Sequence, residues 1–121
     1  MTNILIADDH DLVRDTIAAY LETVDSFKVF TAHDLASALE VMSGVDSIDL
    51  LILDYNMPGM NGLQGLERAC TSYPATKVAL MSGVANREIA NNAMERHARG
   101  FIPKSLSATS FINAIKFILS G

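Results

Sequence analysis

Cysteine occurs once in this chain of 121 residues, at Cys70, so no internal disulfide can form. Basic charge is scarce: nine Lys and Arg stand against fourteen Asp and Glu, giving a net charge of −5 and a pI near 4.9. Such a surface repels phosphate backbones, which argues against direct nucleic-acid binding. There is no run of about 18 apolar residues, so no membrane span is expected. The opening MTNILIADDH lacks the basic stretch and long apolar core of a secretory leader. Together with the single thiol, this points to a reducing cytoplasm. Repeats, linkers and low-complexity segments are also absent. One domain over residues 1–121 is the expectation. Half of its residues are apolar, enough for a real core.

What the chain has is an alternation of strand and helix signals. Asn3–Asp8 (NILIAD) is a short apolar run ending in acid. Leu12–Val24 places Val13, Ile17, Tyr20, Leu21 and Val24 at helical spacing. Phe27–Ala32 reads as a strand near a sheet edge, and Asp34 as the cap of a helix carrying Leu35, Ala38, Leu39 and Met42, ended by Gly44. Ile48–Asp54 (IDLLILD) has the continuous apolar character of a strand buried on both faces. NMPGMNG is turn chemistry, and Leu63, Leu66 and Cys70 mark the next helix. Lys77–Ser82, Asn86–Ala98, Gly100–Pro103 and Ser107–Ser120 complete the series as strand, helix, strand, helix. Pro103 cannot donate to a sheet and belongs at a strand end or an edge. Five strand–helix units predict an α/β fold with an open, doubly wound parallel sheet, and leave no room for an eight-unit barrel.

In such a sheet, ligands bind beyond the carboxyl ends of the strands. The predicted ends carry Asp8-Asp9, then Asp54, then Ser82-Gly83, then Lys104. Each has a bland reading: the acids as caps or turn formers, Ser82 as a turn residue, Lys104 as a solvated lysine. Their joint arrival at one rim is what carries weight. Three converging carboxylates repel and require a cation or protons. Oxygen donors suit a hard divalent ion, with Mg²⁺ the natural candidate. A carboxylate can take up a phosphoryl group as an acyl phosphate. Mg²⁺, Lys104 and the Ser82 hydroxyl would then meet the negative oxygens of the group in transfer.

The segments ADD (Ala7–Asp9), LDYNMPGMNG (Leu53–Gly62), MSG (Met81–Gly83) and GFIPK (Gly100–Lys104) resemble, over essentially the whole chain, the receiver domains of two-component response regulators. ADDHDLVRD and GFIPKS are most similar to the subfamily with a C-terminal LuxR/NarL-type helix-turn-helix output domain. The resemblance implies a flavodoxin-like (βα)5 fold with strand order 2-1-3-4-5. It implies Asp54 as phosphoacceptor, Asp9 as direct Mg²⁺ ligand, Asp8 acting largely through a metal-bound water, and the Asn56 carbonyl as a further ligand. Lys104 would pair with the phosphoryl group, Ser82 would reorient toward it, and Phe101 would be the switch aromatic. The implied partner is a sensor histidine kinase, with DNA reached only through an output domain outside this chain. Two departures stand out: Ser105 rather than Pro follows Lys104, and Phe101 lacks a hydroxyl, so a switch there must work by packing. Val84, two residues beyond Ser82, is apolar and is expected to slow attack by water.

The last helix is apolar over a wide arc, at Phe111, Ile112, Ala114, Ile115, Phe117, Ile118 and Leu119. One face must cover the sheet; the excess can bury against a second copy, as a homodimer, or against a following domain. Three other readings compete with a switch, and the complete set Asp8, Asp9, Asp54, Ser82 and Lys104 argues against one of them, a degenerate receiver acting only as an interaction domain. An aspartyl phosphohydrolase would want an acid where Asn56 stands, and a flavin-type module would want a Ser/Thr/Gly phosphate loop where Asp8-Asp9-His10-Asp11 stands.

Overall fold

The computed structural model describes residues 1–84 and 86–121. Its elements run β1 (Thr2–Ala7), α1 (Asp11–Glu22), β2 (Phe27–Ala32), α2 (Leu35–Gly44), β3 (Leu50–Asp54), α3 (Gln64–Ser72), β4 (Lys77–Ser82), α4 (Arg87–Glu95), β5 (Gly100–Pro103) and α5 (Ala108–Ser120). All four strand pairings are parallel, in the order β2-β1-β3-β4-β5. The doubly wound expectation and the implied order therefore hold.

Strand alternation sorts the core into two halves. Leu5, Ala7, Leu51, Leu53, Val78 and Leu80 face one side, where they meet Leu35, Ala38 and Met42 of α2, Leu66 and Ala69 of α3, and Ala93 of α4. Ile4, Ile6, Leu50, Ile52, Ala79 and Met81 face the other, against Ile17 and Leu21 of α1 and Phe111, Ile115 and Ile118 of α5. Every residue of β3 is buried, as a central strand covered on both faces requires. The edge positions fall to β2 and to β5, whose last residue is Pro103.

Several boundaries differ from the sequence reading. In α1 the buried residues are Ile17, Ala18 and Leu21, while Val13 and Tyr20 stand 36% and 44% exposed. The apolar stripe is thus wider than the face that the sheet covers. β3 begins at Leu50, because Ile48 and Asp49 turn into the sheet, the Asp49 N–H donating to the Asn3 carbonyl. α4 ends at Glu95 rather than Ala98: His97 adopts φ 75°, and the Ala98 N–H returns to the Ala93 carbonyl. The Asp34 cap was legible. Asp34 and Ser37 form a reciprocal capping box on α2, Asn86 caps α4 and Ser107 caps α5. At the far end of α5, Lys77 Nζ donates to the carbonyls of Ile118 and Leu119 at 3.3 and 2.8 Å, joining the start of β4 to the helix C-terminus. Among the described residues no helix is long and apolar enough to cross a membrane.

The loop after β3 turns back through Gly59 and Gly62, at φ 91° and 71°, and delivers α3 against Met60. Gly65 permits that approach: a Cβ there would lie 2.6 Å from Met60 Sδ and 2.7 Å from Met60 Cα. Gly65→Ala is expected to cost about 1–3 kcal/mol through backbone displacement. A lower urea midpoint at unchanged m value would show it, and an unchanged midpoint would mean that the Met60 turn gives way freely.

Candidate functional site

The site begins with strand register. Ala7 pairs with Leu53, so the next residues, Asp8 and Asp54, emerge side by side where the chain winds in opposite directions from β1 and β3. Beyond β3, Asp54 pairs with Met81, and Ser82 of β4 pairs with Pro103, one residue before Lys104. The Lys104 N–H donates to the Ser82 carbonyl at 2.8 Å, which fixes where the lysine leaves the sheet. Among the described residues all peptide bonds are trans, Lys104–Ser105 included.

Asp8, Asp54 and Ser82 are essentially inaccessible, the only buried polar or charged residues among those described. Lys104 Nζ lies 2.9 Å from Asp8 Oδ2 and 3.2 Å from Asp54 Oδ2. It approaches both oxygens off the axis of a hydrogen bond, so neither has an aligned donor. Asp8 Oδ1 accepts the His10 N–H at 2.8 Å, and the Asn56 N–H makes a long 3.5 Å contact to Asp54 Oδ1. Asp9 is one-third exposed at the rim. The structure therefore brings together Asp8, Asp9, Asp54 and Lys104.

Ser82 and Phe101 are the residues expected to rearrange on phosphorylation. The Ser82 hydroxyl is turned along its own loop, donating to the Val84 carbonyl and accepting from the Val84 N–H, both at 3.2 Å. Phe101 is half-buried, beside Leu80 in the sheet and packed against the layer of α2, α3 and α4. Val84 is 60% exposed. Two further residues were not anticipated. The His10 Nδ1 stands 3.2 Å from Asp8 Oδ1 and 3.3 Å from Asp9 Oδ1. Arg14 reaches back from α1 to the Asp8 carbonyl at 3.4 Å while bridging Asp11 and Asp15. The sequence signal for His10 was its place directly after the acid pair; for Arg14 there was only its helical spacing from Asp11.

The charges are unequal partners. Burial is the largest influence on Asp8 and raises its pKa, but the His10 hydrogen bonds and Lys104 together outweigh it and hold the group below the usual carboxylate range. Burial also dominates at Asp54, and there the Asp8 charge adds to it; Lys104 and Asn56 offset only part, leaving the pKa raised. Lys104 loses by burial but gains more from both carboxylates, so it is held protonated. Two buried carboxylates thus share one ammonium, with Asp9 beside them at the rim. Ligand atoms of Asp8, Asp9, His10 and Asp54 lie within 4.8 Å of one another. With two buried carboxylate oxygens lacking an aligned donor, this oxygen-rich set fits a divalent cation.

A raised carboxylate pKa means that the folded state binds its proton more tightly than the unfolded chain. Asp54 therefore favours folding at pH below its ordinary 3.8, and that contribution is lost as pH rises through its elevated value. In chelator at neutral pH, Asp54→Asn is expected to stabilise the fold by about 1 kcal/mol or more. The gain should shrink toward pH 3; a variant less stable than wild type at pH 7 would contradict the charge-crowding account.

The comparisons with known proteins agree with this geometry. The sequence pattern of the response regulator receiver domain matches residues 4–116. A glycerol metabolism activator of Pseudomonas putida is 39% identical over the whole chain, which covers 55% of that protein. The response regulator UvrY of Escherichia coli is 26% identical over the whole chain, which covers 56% of it. The chain thus spans about half the length of the curated relatives it matches. Among solved structures, the receiver domain of a putative response regulator, NarL, from Mycobacterium tuberculosis superposes with a TM-score of 0.88 at 33% identity, covering 99% of this chain and 97% of that one. A LuxR family DNA-binding response regulator from Silicibacter pomeroyi gives 0.87 at 34% identity, covering 100% and 93%. A buried Asp8 with Asp9 at the rim, a buried aspartate at the end of the central strand and a lysine bridging the two buried acids thus coincide with sequence and fold similarity over the whole chain: the chain belongs to the response regulator receiver domain family.

Proposed function

We propose that this domain accepts a phosphoryl group on Asp54 from the phosphohistidine of a sensor histidine kinase, with Mg²⁺, and that the modified state changes the surface formed by α4, β5 and α5 to control an output, transcription in a longer protein. The observation that carries the reading is the Asp54 carboxylate buried at the end of β3 with Lys104 Nζ 3.2 Å away. An Asp54 oxygen forms the new O–P bond while the N–P bond breaks, its electron pair returning to the imidazole of the kinase. Asp9, Asp54 and the Asn56 carbonyl would hold Mg²⁺, with Asp8 behind them. When bound, the ion neutralises charge shared between the carboxylates and the phosphoryl oxygens.

The remaining work falls to the chain itself. Lys104 is held protonated by the same acids and supplies a fixed positive charge where phosphoryl oxygens arrive. Ser82 must give up its two bonds to Val84 to donate to the new group. Its move opens space beside β4 for the Phe101 ring, which shifts by packing alone. The outcome is a population shift between two states of one fold. The domain turns over no external substrate; it carries out only its own phosphorylation and its hydrolysis. An exposed Asn56 in place of a second acid supports this against a phosphohydrolase. Its place is the cytoplasm, with DNA contacted only by a separate output domain. A second copy against α5 would cover Phe117, which is 80% exposed.

Intact mass after incubation with Mg²⁺ and acetyl phosphate tests the reading. Wild type should gain a labile adduct of about 80 Da, and Asp54→Asn none. An adduct on the variant, or none on wild type when supplied with a phosphorylated histidine kinase, would overturn it. Val84→Glu should speed loss of the adduct several-fold by admitting an activated water at the exposed mouth. An unchanged rate would remove Val84 from the account.

A further inference from the structure

His10 touches both acids of the pair, and the proposed phosphotransfer does not use it. It follows β1 at the N-cap of α1, yet its side chain makes no capping hydrogen bond. Its backbone N–H is bonded to Asp8 Oδ1, which fixes the residue beside the acid pair. The Nδ1 then stands 3.2 Å from Asp8 Oδ1 and 3.3 Å from Asp9 Oδ1, while the side chain is 63% exposed. Ligand atoms bound at about 2.1 Å in cis positions of an octahedron lie roughly 3.0 Å apart. The nitrogen is therefore spaced from both oxygens as one more ligand to the same ion would be. The solvent-facing ring leaves Nε2 free to keep its hydrogen, so a neutral imidazole can direct the Nδ1 lone pair inward. Asp8 Oδ2 and Asp54 Oδ2, buried without an aligned donor, belong to carboxylates of the same cluster, which the Lys104 ammonium beside them compensates only in part.

We propose that His10 Nδ1 is a cation ligand, and that it turns an oxygen site suited to Mg²⁺ into a mixed nitrogen–oxygen site that also takes first-row transition ions of the Co²⁺ and Ni²⁺ class. The inference rests on the reading that a divalent cation binds between Asp8, Asp9 and Asp54, and adds a ligand and a selectivity to it. Imidazole contributes little to Mg²⁺, which prefers oxygen and retains water, and much to Co²⁺ and Ni²⁺. The competing role is a purely positional one, in which an Nδ1–H is shared by the two carboxylates. That role would support every cation equally.

The three histidines are His10, His33 and His97, so the test uses the His33→Asn/His97→Asn background, in which a histidine nitrogen signal can come only from His10. Asn tolerates the left-handed backbone at position 97. Electron spin echo modulation of bound Mn²⁺ should show a directly coordinated imidazole nitrogen, lost in His10→Gln. Calorimetry should show His10→Gln losing at least roughly tenfold in Ni²⁺ affinity, with Mg²⁺ affinity changed less than about twofold. Bound Mn²⁺ without nitrogen coupling, or equal losses for Ni²⁺ and Mg²⁺, would overturn the ligand assignment while leaving the cation site standing. Failure of the background protein to bind either Mg²⁺ or Mn²⁺ would overturn both.

Discussion

The molecule is organised around one electrostatic debt: Asp8 and Asp54 are buried side by side and share a single ammonium. Buried like charges normally resolve by protonation or by a counterion. Here neither resolution is complete, because Lys104 reaches both oxygens at ion-pair distance without aligning on either. The residual repulsion falls mainly on Asp54, which is both the more weakly compensated acid and the proposed nucleophile. The group with most to gain from a cation is thus also the one at which chemistry is proposed.

The fold makes that arrangement hard to avoid. Parallel pairing of Ala7 with Leu53 fixes Asp8 next to Asp54 before any side chain chooses a rotamer. The Ser82 carbonyl holds the Lys104 amide, so the cation is anchored through the backbone of the neighbouring strand pair. Apolar packing on both faces of β1, β3 and β4 carries the cost of placing charge at their ends. Stability and function are separated along each strand: aliphatic residues through its length, chemistry at its last position.

Much of this could be read from residue order. The β4 and β5 spans, the cap at Asp34, and the convergence of Asp8, Asp9, Asp54 and Lys104 follow from periodicity, cap chemistry and the strand-end rule. The misreadings have particular causes. α4 stops early because His97 takes a left-handed conformation that the sequence would have advertised only with Gly or Asn. Val13 and Tyr20 carry helical spacing, but spacing cannot say how wide a face the sheet will cover. His10 was missed because it enters the site through its amide, held by Asp8.

The two helices flanking β5 are held very differently. α5 buries Phe111, Ile115 and Ile118 and has its last carbonyls gripped by Lys77, whereas α4 buries Ala93 alone. A segment with so little apolar anchorage opens at low free-energy cost. α4 is then the hinge leaf and α5 the door frame: a rearrangement begun at Ser82 would find its easiest outlet in α4, whose amide hydrogens are expected to exchange with solvent before those of the sheet.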